Sequence, residues 1–324
     1  MKRSIRWVSG LIVVFMLIVS TACGANNAST NKTDTAAADD TNQQRVLKTL
    51  KGDVSIPAEP KRVIGLSVVY PEFLYALDVT PIAVQNYHAE FPSYLKDAFK
   101  DTLKMGIART PDFEAILSSK PDLIIAPIWW SDKDYDQLSK IAPTVLLPER
   151  DNWRDELRDV GEVLDKKELA ETVIQNLQAK EDEAKKKLDQ LVGDETVLYM
   201  EIMDKEIMLY GENSDRGKFI HKVLGLSPIN NIPQSENSVS ISLEKIPEYN
   251  PDHIIVHMSD ETNKVIQDRY NEMLNSSLWK HMTAVKENQV YLMGGKEWFN
   301  LGMSPLADSN AVDEVIQAFE GKQK

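Results

Sequence analysis

The chain has 324 residues, a formal charge of −13 and a single cysteine. An acidic balance of this size argues against nucleic acid as a partner and against an electrostatic hold on anionic lipid. One cysteine leaves no internal disulfide. Residues 1–22 read as a lipoprotein signal peptide: Lys2, Arg3 and Arg6 form a basic start, and "WVSGLIVVFMLIVS" is an apolar core too short for a mature span. Ser20, Thr21 and Ala22 then precede Cys23, a pattern that looks like a lipobox, with Ser20 where leucine is usual. Cys23 is the expected lipidation site. Without the three signal cations the mature chain sits near about −16. Residues 23–44 have almost no apolar bulk, cannot offset chain entropy by burial, and read as a disordered tether.

The body beyond the tether is long enough for two lobes. In the first, expected over 45–166, "RVIGLSVV" reads as a strand, "EFLYAL" as a short helix and "TPIAVQ" as a strand. "PDFEAILSS" reads as a helix with Thr110 as N-cap and Pro111 at its first position; "PDLIIAPI" and "PTVLLP" are strands. Apolar runs alternating with helices predict a parallel sheet covered on both faces. From Lys167 to Val192 there is no glycine or proline, and Leu169, Val173, Leu177, Ala184, Leu188 and Leu191 form a stripe at helical spacing. This predicts one connecting helix about 39 Å long.

The second lobe, 193–324, repeats the order of the first: strand "TVLYMEI", helix "GKFIHKVLGL", helix "SLEKIPEY", then strands "PDHIIVHM" and "QVYLMG". "LDVTPI" and "LGLSPI" correspond, as do "KPDLII" and "NPDHII"; a glutamate stands seven residues before each proline, Glu114 before Pro121 and Glu244 before Pro251. The expected fold is α/β, with two Rossmann-like lobes of mostly parallel sheets joined by one long helix.

Five stretches in order, "KRVIGLSVVYPEFLYALDVTPIAV", "GIARTPDFEAILSSKPDLII", "NWRDELRDVGEVLDKKELAE", "YGENSDRGKFIHKVLGL" and "ISLEKIPEYNPDHIIV", carry a resemblance to class III substrate-binding lipoproteins of ABC importers, the family of iron–siderophore and cobalamin binders. The resemblance implies a monomer lipid-anchored on the extracytoplasmic face of the cell membrane. It implies capture of a ferric siderophore, with no cofactor or metal of the protein's own and the iron held by the siderophore. It further implies delivery to a permease dimer and its ATPase subunits, with Glu114 and Glu244 docking on permease arginines. Helix-start carboxylates are suited to bidentate arginine pairing.

Ligands of open parallel sheets bind beyond the carboxyl ends of the strands. The residues there are Tyr70, Tyr87, Trp129, Trp130, Glu201, Met203, Trp298 and Asn300, and Arg109 and Arg216 stand in neighbouring loops. For the tryptophans the alternative is core closure, and for the arginines a surface charge. Relatives that bind catecholates or carboxylates tend to carry arginines where Glu201 and Met203 stand. That departure favours a neutral or cationic ferric hydroxamate. Cobalamin or haem remains the alternative cargo, Tyr87 and His88 being candidate haem ligands. A bare zinc or manganese site is disfavoured, because His253 and His257 lie about 13 Å apart on a strand. No nucleophile elbow, phosphate loop or metal-hydrolase motif points to an enzyme.

Overall fold

The computed structural model describes residues 43–322 other than 109, 231 and 233–236. The signal, Cys23, the tether up to 42 and Arg109 therefore lie outside the described residues. The body opens with a hairpin that the sequence reading did not anticipate. Strands β1 (Gln44–Thr49) and β2 (Gly52–Pro57) pair antiparallel.

The first lobe is built on an all-parallel sheet of β3 (Val63–Gly65), β4 (Ala83–Val84), β5 (Leu103–Lys104), β6 (Leu123–Pro127) and β7 (Thr144–Leu147), in the order β5-β4-β3-β6-β7. The second sheet is mixed. β8 (Thr196–Ile202), β10 (Ser227–Pro228), β12 (His253–Met258) and β13 (Val290–Met293) run parallel, with β12 between β8 and β13. β9 (Ile207–Tyr210) and β11 (Ser238–Ile241) are added antiparallel beyond β8. The central strands β6, β8 and β12 are almost wholly buried, as strands covered on both faces must be.

Several local expectations shift. Strand β3 is only three residues long. The helix after it, Tyr70–Ala76, starts at once. The Phe113–Ser119 helix is capped by Asp112 rather than Thr110: the Asp112 carboxylate accepts the Ala115 N–H at 2.9 Å. Leu243–Glu248 is a 3-10 helix rather than an α-helix, and it contains Pro247, which has no N–H to donate. "GKFIHKVLGL" forms a π-helix over Lys218–Val223.

The repeated Pro-Asp phrase has one structural meaning in both lobes. Lys120 (φ 49°) and Asn250 (φ 32°) turn the chain out of the preceding helix in a left-handed conformation. Asp122 then accepts the N–H groups of Lys61 and Arg62, at 2.8 and 2.9 Å, where β3 begins. Asp252 accepts both the N–H and the hydroxyl of Thr196, each at 2.7 Å, where β8 begins. Each aspartate thus staples the start of one central strand to the start of its neighbour. The "LDVTPI" and "LGLSPI" pair matches as well, with Asp78 (φ 56°) and Gly225 (φ 74°) in equivalent left-handed turns.

The Lys167–Val192 helix belongs to both cores. Ala170, Ile174 and Leu177 pack in the first lobe, while Ala184, Leu188 and Val192 pack in the second. The fully buried line is thus rotated by a residue from the expected stripe, leaving Leu169, Val173 and Leu191 on its flanks. At the changeover sits Glu181, buried and held bidentate by Arg154 Nη2 at 2.8 and 2.6 Å. The helix ends at Gly193 (φ 58°). The C-terminal helix, Pro305–Lys322, runs against it, tied by Lys180 to Ser309 and Asp313 and by Lys187 to Glu320.

Candidate ligand cleft

The carboxyl ends of the strands open between the lobes onto two neighbouring cavities. The first is lined by Val68, Asn86, Tyr87, His88 and Phe91 of the first lobe and by Lys296 and Phe299 of the second. The second is lined by Trp129, Asn152, Trp153 and Glu156 on one side and Asp215, Gly302 and Met303 on the other. Segment 296–303 of the second lobe contributes to both. It is launched by consecutive glycines, Gly294 (φ 91°) and Gly295 (φ 63°). A Cβ on the first would come within 2.7 Å of the His257 ring, and on the second within 2.3 Å of the Glu261 carboxylate. Only glycine fits this turn.

The expected aromatics divide by exposure. Tyr87 is 55% exposed and stacks on Phe299 with ring centroids 5.0 Å apart, closing the first cavity from both lobes. Trp129 is 60% exposed and stands edge-on to the half-buried Trp130 at 5.4 Å. Tyr70 and Trp298 are corrections. Tyr70 points into the first-lobe core against Phe73, because the helix starts earlier than expected. Trp298 is 0% exposed, sits in the second-lobe core and donates its indole N–H to Glu314 at 2.7 Å. Met203 lies in the β8–β9 turn, its N–H donating to Glu206 O, away from both cavities.

Glu201 does not present a bare charge to the cleft. It is 3% exposed and accepts the Tyr210 hydroxyl, with His257 Nδ1 3.7 Å away. Burial opposes its ionisation, yet His257, Arg216 and the Tyr210 hydroxyl outweigh burial and hold the carboxyl below its ordinary value. Burial pushes His257 down to about 4, so the lasting positive partner at neutral pH is Arg216. Arg216 in turn donates to Trp298 O at 3.0 Å and Phe299 O at 2.7 Å. It braces the back of the cleft wall, and the expected repulsion between Glu201 and an anionic ligand is cancelled at its source. Asn300 is 3% exposed; it lines the first cavity and also joins the lobes, donating to Val68 O at 3.0 Å and Glu72 Oε1 at 2.7 Å.

Sequence reasoning missed the seam itself: Glu72, Ser93, Glu297 and Ser304. Glu297 accepts the Ser93 N–H at 2.8 and 3.0 Å and its hydroxyl at 3.0 Å. The double glycine before Lys296 is the one local signal that could have flagged this segment. Glu114 and Glu244 are both exposed near the starts of their helices, and neither has an ion-pair partner among the described residues.

A family model described as a periplasmic binding protein matches residues 63–297. The chain belongs to that family. As a periplasmic binding protein it is a substrate-binding component rather than an enzyme. It is 28% identical over 297 residues to the "Iron-uptake system-binding protein" of Bacillus subtilis, covering 89% of this chain and 93% of the relative. It is also 28% identical over 324 residues to the "Iron(3+)-hydroxamate-binding protein YxeB" of the same organism, covering 97% and 96%. The crystal structure of Staphylococcus aureus SirA complexed with staphyloferrin B superimposes with a TM-score of 0.70 at 27% identity, covering 85% of this chain and 98% of that one. The two-lobed α/β architecture is shared with these binding proteins.

Proposed function

We propose that this periplasmic binding protein captures a ferric siderophore of the hydroxamate type between its lobes and hands it to an ABC permease. The observation that carries the hydroxamate reading is the state of the cleft cations. Lys296 is paired with Glu261 at 3.0 Å, and Arg150 is held by Asp159 at 2.7 and 2.9 Å. Among the described residues, each cation lining the two cavities is thus already neutralised. A highly anionic ferric complex would find no spare counter-charge there, whereas a neutral or weakly cationic one needs none. Relatives named for hydroxamate binding support the same reading. The exposed Tyr87, Phe299 and Trp129 supply apolar surface for the ligand's chain.

Iron is cargo here, held by the siderophore. The protein acts as a monomer, anchored through Cys23 on the outer face of the membrane. Two relatives carry "lipoprotein" in their names, and no described helix is long and apolar enough to cross a membrane. Glu114 and Glu244, one per lobe and without an ion-pair partner among the described residues, dock on arginines of a permease dimer driven by its ATPase subunits. The test is siderophore-dependent iron uptake in cells carrying Glu114→Arg with Glu244→Arg. Uptake should be lost while the purified protein still binds ferric hydroxamate. Unchanged uptake removes the docking role.

A further inference from the structure

We propose that Glu72 is a positioning residue for ligand capture: its buried carboxyl group holds the second lobe's wall of the cleft against the first lobe. Glu72 lies in the Tyr70–Ala76 helix, is 2% exposed, and spends both its oxygens on the other side of the seam. Oε1 accepts from Asn300 Nδ2 at 2.7 Å, and Oε2 accepts from the Ser304 hydroxyl. Tyr94, of its own lobe, adds a hydroxyl at 3.3 Å and also reaches Glu297 O at 3.4 Å.

The Asn300 amide is fixed by two acceptors on its NH2 group, Glu72 Oε1 and Val68 O. Its own Oδ1 is left buried without a partner among the described residues. An arrangement that sacrifices one acceptor to satisfy a carboxyl group is costly, and an apolar residue would fill the Glu72 position more cheaply. What the carboxyl adds is direction. Its two tethers, Asn300 and Ser304, bracket the stretch that carries Gly302 and Met303 onto the second cavity. Phe299, which faces Tyr87 across the first, directly precedes Asn300. One side chain therefore sets the spacing of both cavities. The effect on affinity rests on the siderophore reading above; the effect on the wall does not.

The experiment compares wild type, Glu72→Leu and Glu72→Gln by native-state hydrogen exchange without ligand and by ferrioxamine B titration. In Glu72→Leu, amides in 298–304 should exchange about tenfold faster or more, while those of β8 and β12 stay protected. The ferrioxamine B Kd should rise by about tenfold. Glu72→Gln, which can still accept from Asn300, should recover most of both. Unchanged exchange in 298–304, or acceleration spread evenly over the chain, overturns the positioning role. Should Glu72→Leu fail to fold, Ser304→Ala, which removes the tether on Oε2, decides: protection in 298–304 equal to wild type overturns it. Faster exchange in a protein whose wild type ignores ferrioxamine B would sink the cargo assignment and leave the wall assignment standing.

Discussion

Replacing Asp252 with alanine separates what the repeated Pro-Asp phrase does for the fold from what its neighbouring glutamates do for function. The Asp252 carboxylate accepts two hydrogen bonds from Thr196, both at 2.7 Å, at the start of the central strand β8. A charge-assisted bond is worth about 1.5–3 kcal/mol when well shielded. Asp252 is only half-buried, so water replaces part of that, and about 2 kcal/mol for the pair is the reasonable loss. For a body of this size, that corresponds to a Tm lower by roughly 3–4 °C. The Thr196 N–H and other contacts hold the Asp252 carboxyl below its ordinary value. Its contribution is therefore present above the unfolded pKa and disappears as pH falls through the folded one. Thermal melts near neutral pH and near about pH 3 should show the wild-type advantage over Asp252→Ala shrinking in acid. Ligand affinity, measured well below Tm, should not change. A Tm within one degree or so of wild type at neutral pH, or a loss of binding without a loss of stability, would refute the staple.

Two further perturbations probe the charges between and beneath the lobes. Glu156 is pushed up to about 7, first by burial and then by Asp159, Asp215 and Glu149, with Arg150 opposing. A raised carboxyl costs stability as pH climbs past its unfolded value, so Glu156→Gln should raise Tm by a few degrees near about pH 8 and do little near about pH 5. Arg154→Ala strands the buried Glu181 on the connecting helix and should cost about 3 kcal/mol, with denaturant melts of Arg154→Met/Glu181→Leu recovering most of it.

Much of the fold was legible because its signals are local. The connecting helix shows itself through length, spacing and the absence of Gly and Pro, and its observed bounds coincide with the expected ones. The buried strands β6, β8 and β12 read as strands from their apolar centres, LIIA, VLYM and IIV. The hairpin β1–β2 was not read, because its strands carry half-polar faces next to a polar tether. In the cleft, exposure decided which aromatics counted. Tyr87 and Trp129 are accessible, whereas Trp298 follows a strand in sequence but turns inward, because Gly294 and Gly295 redirect the chain. Glu201 was legible as a residue but not as a neutralised one. Its partners Arg216, Tyr210 and His257 arrive from separate segments, and no spacing rule links them. The seam made by Glu72, Asn300 and Ser304 joins residues more than two hundred positions apart, a distance over which sequence periodicity carries nothing.

The central claim is that the cleft takes a ferric siderophore of low charge. Its most direct test is tryptophan fluorescence of the purified protein titrated with ferrioxamine B, a ferric triscatecholate, haem, cobalamin and unchelated ferric iron. Trp129 and Trp153 line the second cavity and report occupancy. Saturable quenching by ferrioxamine B, with a weaker response to the triscatecholate and none to free iron, is the predicted result. Saturable quenching by haem or cobalamin with silence toward every ferric siderophore would contradict it.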